Sequence, residues 1–335
     1  MKKTVYLVIC LILILSLCSC QAQAPDIDEG PVATWEFSPA DPAPSAEALP
    51  TPEPTPEPTP EPTPEPTPAP YFGAFGEKFY GEGYDVPFAD DGGVYMDENG
   101  YRSEGICFTV KEVKAEGLIY YVADIYIKDI ESFRTGFSNG RYGAKNEQVY
   151  VMAERENALL AINGDYYTVQ KQALIIRNGK KYRDDKATND VCVLFKDGTM
   201  KVYGPREYDS DEIMEAGAWQ SWAFGPILVR DGEIPEKFNS DVKPVNPRTA
   251  VGYYEPGHYC FVVVEGRSKE SKGLTMQGLA ELMQSLGCVN AYNLDGGATS
   301  VMVLYGEQIS RQSNEDRGCG DILYIGEIEN KEDAG

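Results

Sequence analysis

The chain has 335 residues, a formal net charge of −23 and eight cysteines. Because nucleic-acid-binding surfaces depend on clustered lysine and arginine, this acidic chain is not expected to bind DNA or RNA. A single histidine, His258, and no Cys-x-x-Cys pair are present, which argues against Ser-His-Asp catalysis and against a cysteine or histidine zinc site. His258 follows a Pro-Gly turn and is expected at the surface.

The N-terminus has the pattern of a secretion signal. Two lysines precede an apolar run at residues 5–17, which is too short to span a bilayer comfortably. The following Leu-Cys-Ser-Cys at 17–20 resembles a bacterial lipobox, so we predict a signal peptide at 1–19 and lipidation of Cys20. Ordinary cleavage without a lipid is the alternative. The prediction is an extracytoplasmic, membrane-anchored lipoprotein of the cell envelope, with no transmembrane helix later in the chain.

Composition divides the rest of the chain. Residues 51–66 repeat Thr-Pro-Glu-Pro four times, and Thr-Pro-Ala-Pro follows. Alternate prolines prevent helix and sheet and favour extended polyproline II, so 20–70 is predicted to be a lipid-anchored, semi-rigid linker. We then expect an irregular lead-in at 71–104, one domain at 105–327 and an acidic tail at 328–335.

Apolar patterns predict a β-rich domain. Runs bounded by turn residues indicate strands at 107–113, 118–127, 158–162, 173–177, 191–195, 200–203, 219–229, 248–254, 258–264, 289–294 and 301–304. One long helix is predicted at 276–286, with Thr275 as its N-cap and one apolar face. Short helices are predicted at 148–156 and 209–216. The predicted fold class is α+β, a single large domain of β-rich mixed sheets with few flanking helices.

The cysteines outside the signal and the anchor are odd in number, so at least one thiol stays unpaired within the chain. The sequence assigns no disulfide among them: Cys107, Cys192, Cys260, Cys288 and Cys319. Cys192 and Cys260 lie inside apolar runs and are expected to be buried free thiols.

Polar side chains follow three of the predicted strands. They are Asn163 and Asp165, Glu265 and Arg267, and Asp295, while Arg248 begins a further strand. Each place alone is typical of an ordinary turn, and Asp-Gly-Gly at 295–297 fits a hairpin equally well. If these strand ends converge, the carboxylates suit acid–base or nucleophilic work on a glycosidic centre. The arginines suit a phosphate, so the combination predicts a site for a sugar–phosphate linkage.

The segments 161–167, 248–252, 262–267 and 274–303, in this order, resemble the phosphodiester glycosidase family. The Gly-Pro strand at 222–229 and the segment 316–323 are similar to that family as well. The resemblance implies mixed β-sheets with flanking helices. It also implies hydrolysis of a sugar 1-phosphodiester, for example an N-acetylglucosamine-1-phosphoryl glycan.

The resemblance also implies roles for particular residues. The catalytic candidates are Asp295, Asp165 and Glu265, and the substrate-binding candidates are Asn163, Arg248, Arg267, Gly296, Gly297 and Thr299. Ala298 and Thr299 stand where the family usually has glycine and serine, and Glu265 stands where aspartate is more frequent. These departures bear on the identity of the substrate more than on the class of reaction.

Two other functions stay open: a non-catalytic, polysaccharide-binding envelope lipoprotein and a divalent-cation-dependent phosphodiesterase. No cofactor is predicted, with Ca²⁺ or Mg²⁺ held by Asp165, Glu265 and Asp295 as the alternative. The predicted partners are a phosphoglycan or sugar 1-phosphodiester and, through the lipid anchor, a membrane. The sequence defines neither the sugar, the acceptor, retention or inversion, nor the oligomeric state.

Overall fold

The computed structural model describes residues 88–185, 188–242, 244–314 and 317–328. The predicted signal peptide, Cys20, the proline-rich linker and nearly all of the acidic tail lie outside the described residues. In chain order the strands are β1 (Tyr95–Met96), β2 (Gly100–Arg102), β3 (Ile106–Ala115), β4 (Leu118–Ile127), β5 (Phe133–Phe137), β6 (Leu160–Asn163), β7 (Leu174–Arg177), β8 (Lys180–Asp184), β9 (Val191–Phe195), β10 (Met200–Tyr203), β11 (Ala218–Trp222), β12 (Ile227–Val229), β13 (Arg248–Glu255), β14 (His258–Val264), β15 (Asn290–Asn293), β16 (Met302–Leu304), β17 (Glu307–Gln308) and β18 (Asp321–Ile325). The α-helices of the described residues are α1 (Val149–Arg155), α2 (Ser210–Glu215) and α3 (Met276–Ser285).

Two sheets form the main body of the domain. The larger has eight strands in the order β1-β2-β3-β4-β14-β13-β15-β12, and the smaller has five in the order β17-β16-β6-β18-β5. The strands β10-β9-β11 form a third sheet, and β7-β8 a hairpin. The fold is therefore the β-rich α+β domain that the sequence predicts, with several sheets and few helices.

The core lies between the two main sheets. Phe133 of β5 packs edge-on against Tyr259 and Phe261 of β14, with ring centroids 5.5 and 5.3 Å apart. Fully buried Ile162 of β6 and Leu323 of β18 belong to the same apolar cluster. Because aromatic and branched side chains remove large apolar areas from water, this layer fixes how the ends of β6 and β14 lie.

Helix α3 covers the opposite face of the eight-stranded sheet. Thr275 caps it by accepting a hydrogen bond from the Gly278 amide, as the sequence predicts. Its buried Leu279 and Met283 pack in one cluster with Val262. The helix therefore connects β14 to β15 and brings the chain to the end of β15, where the Asp295 stretch begins.

The structure differs from the predicted pattern in several strands and at His258. Residues 95–102, which we expected to be irregular, contain β1 and β2, and the structure adds β5, β8, β17 and β18. His258 is 6% exposed, so its predicted surface position is wrong. Its ring is stacked between Tyr126 and Tyr254, both at 4.1 Å, because β14 begins at His258 and enters the sheet at once. Across the described ranges, no helix is long and apolar enough to cross a membrane.

Candidate active site

The ends of β6 and β15 meet at a single buried amide. Asn163, the last residue of β6, donates from Nδ2 to the backbone carbonyl of Asp295 at 2.7 Å. Its Oδ1 accepts from the Thr249 hydroxyl at 2.8 Å and from the Val301 amide at 3.2 Å. Asn163 is fully buried, so these bonds are made away from water. The two polar turns that follow β6 and β15 therefore converge, and Asn163 holds them together.

Asp295 is the carboxyl group of this junction. Its Oδ1 accepts from the Gly296 amide and its Oδ2 from the Thr299 hydroxyl, both at 2.9 Å. Burial raises the pKa of Asp295 to about 6, although the hydrogen bond from Thr299 and the charge of Arg317 act in the opposite direction. The negative charge of Asp165 raises it further. A carboxyl with this pKa changes its protonation near neutrality, which is what acid–base catalysis requires.

The two glycines after Asp295 are needed for the shape of the turn. A Cβ on Gly296 would lie 3.0 Å from the Pro247 carbonyl oxygen, and Gly297 has a φ of 68°. Gly297 also donates to Pro247 at 2.9 Å, which seats the turn on the start of β13. Ala298 follows within a 3₁₀ turn, Gly297–Thr299, and does not have a positive φ. Its methyl group is therefore accommodated where the family usually has glycine.

Two exposed arginines lie beside this turn. Arg267 donates to Asn246 Oδ1 at 2.9 Å, and a Cβ on Gly297 would lie 3.0 Å from its Nη2. Arg317 lies over the Tyr166 ring at 5.7 Å and contributes a favourable charge to ionised Asp295. Sequence reasoning predicted Arg267 and missed Arg317, although it noted the segment that contains it. Neither guanidinium group has a carboxylate within 4 Å among the residues that the structure describes, and planar guanidinium groups suit the oxygens of a phosphate.

Asp165 lies in a buried ion pair that the sequence did not reveal. Arg177 donates from Nη2 to Asp165 Oδ1 at 3.0 Å and from Nε to Asp321 Oδ2 at 2.8 Å. Asp165 also accepts from the amides of Tyr167 at 3.1 Å and Ala223 at 3.0 Å. Both oxygens of its carboxylate are thus engaged by the protein, and the carboxylate fixes the turn after β6 to the segment after β11.

The three charged side chains of this ion pair are at most 1% exposed. Two carboxylates share one guanidinium, so the group carries an excess negative charge when both are ionised. Burial raises the pKa of Asp321 to about 7, while Arg177 acts to lower it. Removing one partner from such a group is strongly destabilising because it leaves a buried charge unpaired.

Glu265 is hydrogen-bonded to the segment that starts at Arg311 and contacts the Asp295 turn. Its Oε1 accepts from the Arg311 amide at 2.7 Å. The next residue, Gln312, donates to the carbonyls of Ala298 and Arg317, both at 2.7 Å. Glu265 is therefore placed to position Arg317 relative to the Asp295 turn.

Arg248 is buried at the start of β13, beside the Asp295 turn. It donates from Nε to the Leu274 carbonyl at 3.0 Å and from Nη2 to the Pro244 carbonyl at 2.6 Å. Burial lowers its pKa to about 10, and no acidic side chain contributes to that shift. These bonds hold the segment that leads into α3, and the structure shows no contact between Arg248 and the Asp295 carboxyl group.

Most of the predicted site residues form one contiguous group: Asp295, Gly296, Gly297, Thr299, Asn163 and Arg267. Asp165, Glu265 and Arg248 surround it and are bonded to its supporting segments. In the described ranges, no three His, Cys, Asp or Glu side chains are grouped in a way that could hold a metal ion. The prediction that no cofactor is needed, with Ca²⁺ or Mg²⁺ as the alternative, stays a prediction.

Comparison with known proteins gives a family match over half of the chain. The model of the phosphodiester glycosidase family matches residues 156–326, which include every predicted site residue except the lipidation site. An uncharacterised, SPbeta prophage-derived protein of Bacillus subtilis (strain 168), YomE, is 34% identical over 235 residues. That match covers 62% of this chain and 36% of the Bacillus protein.

An enzyme and a solved structure also match. The N-acetylglucosamine-1-phosphodiester alpha-N-acetylglucosaminidase of Bos taurus is 36% identical over 108 residues, 30% of this chain and 20% of the bovine protein. The matches thus span little more than a third of the Bacillus relative and a fifth of the bovine one. The zebrafish enzyme's catalytic domain, auto-inhibited by its pro-peptide, aligns with a TM-score of 0.55 at 24% identity. It covers 67% of this chain and 83% of the zebrafish domain, and shows that the fold is shared.

Proposed function

The chain belongs to the phosphodiester glycosidase family, and on that premise we propose that it hydrolyses the glycosidic bond of a sugar 1-phosphodiester at the cell envelope. The observation that supports this most is the position of Asp295. It is a buried carboxyl with a pKa of about 6, and the exposed guanidinium groups of Arg267 and Arg317 flank its turn. A carboxylate can stabilise positive charge at the anomeric carbon, and the guanidinium groups can bind the phosphate oxygens.

In the proposed reaction, Arg267 and Arg317 bind the phosphodiester oxygens. The bond between the anomeric carbon and the bridging oxygen breaks, and its electron pair stays on the phosphate. Because the departing phosphate monoester is a weak base, it needs little help from a general acid. Ionised Asp295 stabilises the positive charge that develops on the sugar and accepts a proton from the attacking water, whose oxygen bonds to the anomeric carbon.

The turn can accommodate the proton that Asp295 accepts. The Thr299 hydroxyl lies 2.9 Å from Asp295 Oδ2 and 2.8 Å from the Gly296 carbonyl oxygen. When Asp295 is ionised, Thr299 donates to it. When Asp295 is protonated, its O–H can donate to Thr299, and Thr299 can donate to Gly296. Both protonation states are therefore hydrogen-bonded, which suits a group that cycles between them.

The remaining acidic candidates act on position rather than on the reacting atoms. Asp165 is bonded to Arg177 and to two backbone amides, and Glu265 to the Arg311 amide. We assign to both the task of holding the segments that carry the site. The envelope location rests on the predicted signal peptide and the lipobox at 17–20.

A release assay tests the proposal. The mature protein is incubated with N-acetylglucosamine-1-phosphodiesters, and free sugar is measured. This substrate class appears in the names of the animal relatives. We expect turnover that EDTA does not abolish and that Asp295→Asn lowers by about 10³. Asp129→Asn, an exposed aspartate on a turn distant in sequence, is the matched control and should retain activity.

Each other outcome has a definite meaning. Absence of turnover by the wild type, with polysaccharide binding that Asp295→Asn abolishes, would identify a binding protein instead. Activity that EDTA abolishes would favour the cation-dependent phosphodiesterase. Full activity in Asp295→Asn would contradict the role of Asp295.

A further inference from the structure

A cavity of about 560 Å³ lies next to the candidate active site. It is bounded by Tyr166, by 169–172, by 188–189, by Phe224 and by 239–242. Its volume falls within the roughly 300–1,000 Å³ range of small-molecule sites. Tyr166 belongs to both places, because it lines the cavity and contacts Arg317. Asp295, Thr299 and Arg267 do not line it.

The lining is mainly neutral and polar, with two aromatic rings and two exposed side chains of opposite charge, Lys171 and Asp241. Tyr166 and Phe224 meet edge-to-face, with ring centroids 6.2 Å apart. The amides of Gln170, Gln172 and Asn189 lie around them. Buried Gln170 Oε1 has no hydrogen-bond partner among the residues that the structure describes. It can therefore accept a hydrogen bond from a ligand without breaking one of those within the protein. Amides and aromatic faces together suit a neutral group with many hydroxyls.

Hydrogen bonds within the protein fix the walls of the cavity in place. The Asp165 carboxylate holds the amides of Tyr167 and Ala223, which are the chain neighbours of Tyr166 and Phe224. Arg183 donates to the Gln170 carbonyl at 2.6 Å. The cavity is therefore formed before a ligand binds, which lowers the entropic loss on binding. It also gives the buried pair of Asp165 and Arg177 a task in binding the substrate.

We propose that this cavity binds the alcohol side of the phosphodiester, and that this group is a neutral sugar or polyol. The inference rests on the proposed function. A phosphate held by Arg317 has the anomeric carbon on the side of Asp295. Tyr166 both contacts Arg317 and lines the cavity, whereas Asp295 does not line it, so we infer that the group entering the cavity is attached to the phosphate through the bond that does not break.

The test compares two substrates with the same sugar 1-phosphate. One is a methyl phosphodiester and the other a hexosyl phosphodiester. The variant Val169→Trp fills the cavity, because Val169 lines it and is 53% exposed. We expect it to raise KM for the hexosyl substrate by about tenfold and to change the methyl substrate less than twofold. The matched control is Val94→Trp, at an exposed valine outside both places, and it should change neither.

A binding measurement separates failure of this inference from failure of the proposed function. Binding of methyl α-D-glucopyranoside and of ribitol is followed by ligand-observed NMR in the wild type and in both tryptophan variants. Binding that only Val169→Trp abolishes supports the cavity assignment even without turnover, which would count against the proposed function alone. Turnover of both phosphodiesters with equal KM, and no binding that Val169→Trp abolishes, would overturn the cavity assignment and leave the proposed function standing.

Discussion

Asn163 donates a 2.7 Å hydrogen bond to the backbone carbonyl of Asp295, and this bond joins the five-stranded sheet to the end of a strand in the eight-stranded sheet. The position of the carboxyl group thus depends on a residue 132 positions earlier in the chain. In the sequence Asn163 looks like a turn residue that could orient a sugar hydroxyl. In the structure its amide is occupied by protein partners, so its effect on the reaction passes through Asp295.

Asn163→Asp should lower kcat by about 10², the size expected when a reacting group is displaced by about 1 Å. A carboxylate cannot donate, so it would repel the carbonyl of Asp295 that the amide now binds. The folded state should lose about 2–4 kcal/mol of stability. Kinetics and thermal unfolding measure the two effects. Asn290→Asp is the control, because that buried amide bonds to the Met200 carbonyl instead. If both variants lose stability and keep the same kcat, Asn163 has only a structural role.

The pH dependence of activity should report the pKa of Asp295. Because burial raises that pKa to about 6, kcat/KM should rise as pH increases through about 6 and Asp295 ionises. The hydrogen bond from Thr299 favours the ionised form of Asp295. Thr299→Val should therefore shift this limb of the pH profile, the rise in kcat/KM, to higher pH by up to about 1 pH unit. Ser300→Ala removes a neighbouring hydroxyl that makes no hydrogen bond within the described chain, and it should leave the limb in place. A limb that moves downwards in Thr299→Val would contradict the assignment.

The exposed arginines should be needed for the phosphate and not for folding. Arg267→Ala and Arg317→Ala should each lower kcat/KM about 10- to 100-fold, since a hydrogen bond to a charged group is worth about 1.5–3 kcal/mol. Their melting temperatures should stay close to that of the wild type. Arg141→Ala, at another exposed arginine, controls for the loss of one positive charge. Equal activity in all three variants would exclude these arginines from the site.

The stability of the protein should depend on the ionisation of Asp321. Its pKa is raised to about 7 in the folded protein, above the value of about 4 expected on unfolding. The folded state therefore binds the proton more tightly, and this contribution is complete below pH 4 and is lost as pH rises towards 7. Asp321→Asn cannot ionise, so its melting temperature relative to the wild type should increase between pH 4 and 8. A relative decrease would mean that the charge of Arg177 outweighs burial.

The parts of the fold that local sequence determines could be predicted. Helix α3 has its own cap and its own apolar face, and β4, β9 and β14 are runs of apolar and β-branched residues. Strand β5 reads Phe-Arg-Thr-Gly-Phe and β8 reads Lys-Lys-Tyr-Arg-Asp, and neither has such a pattern. They are strands because neighbouring strands offer them hydrogen bonds, which is information that a short window does not contain.

The residues of the candidate site also differ in whether local sequence could predict them. The turn at Asp295 could be predicted because its glycines and its carboxylate are adjacent in the chain. The role of Arg177 could not be predicted, since it is the last residue of a strand in a hairpin, like many ordinary arginines, and its partner Asp321 is 144 residues away. Arg317 was missed because an exposed arginine in a loop carries no pattern of its own. Arg248 was predicted from its place at the head of a strand, which says nothing of the face to which its side chain turns.

In the proposed reaction this protein breaks the bond between the anomeric carbon and the bridging oxygen, with Asp295 beside the anomeric carbon. Hydrolysis of a sugar 1-phosphodiester in ¹⁸O-labelled water, followed by mass spectrometry of both products before the sugar exchanges its anomeric oxygen, tests this most directly. We expect label on the anomeric carbon of the released sugar and none on the phosphate. Label on the phosphate would show cleavage of the phosphorus–oxygen bond and would overturn the proposed reaction.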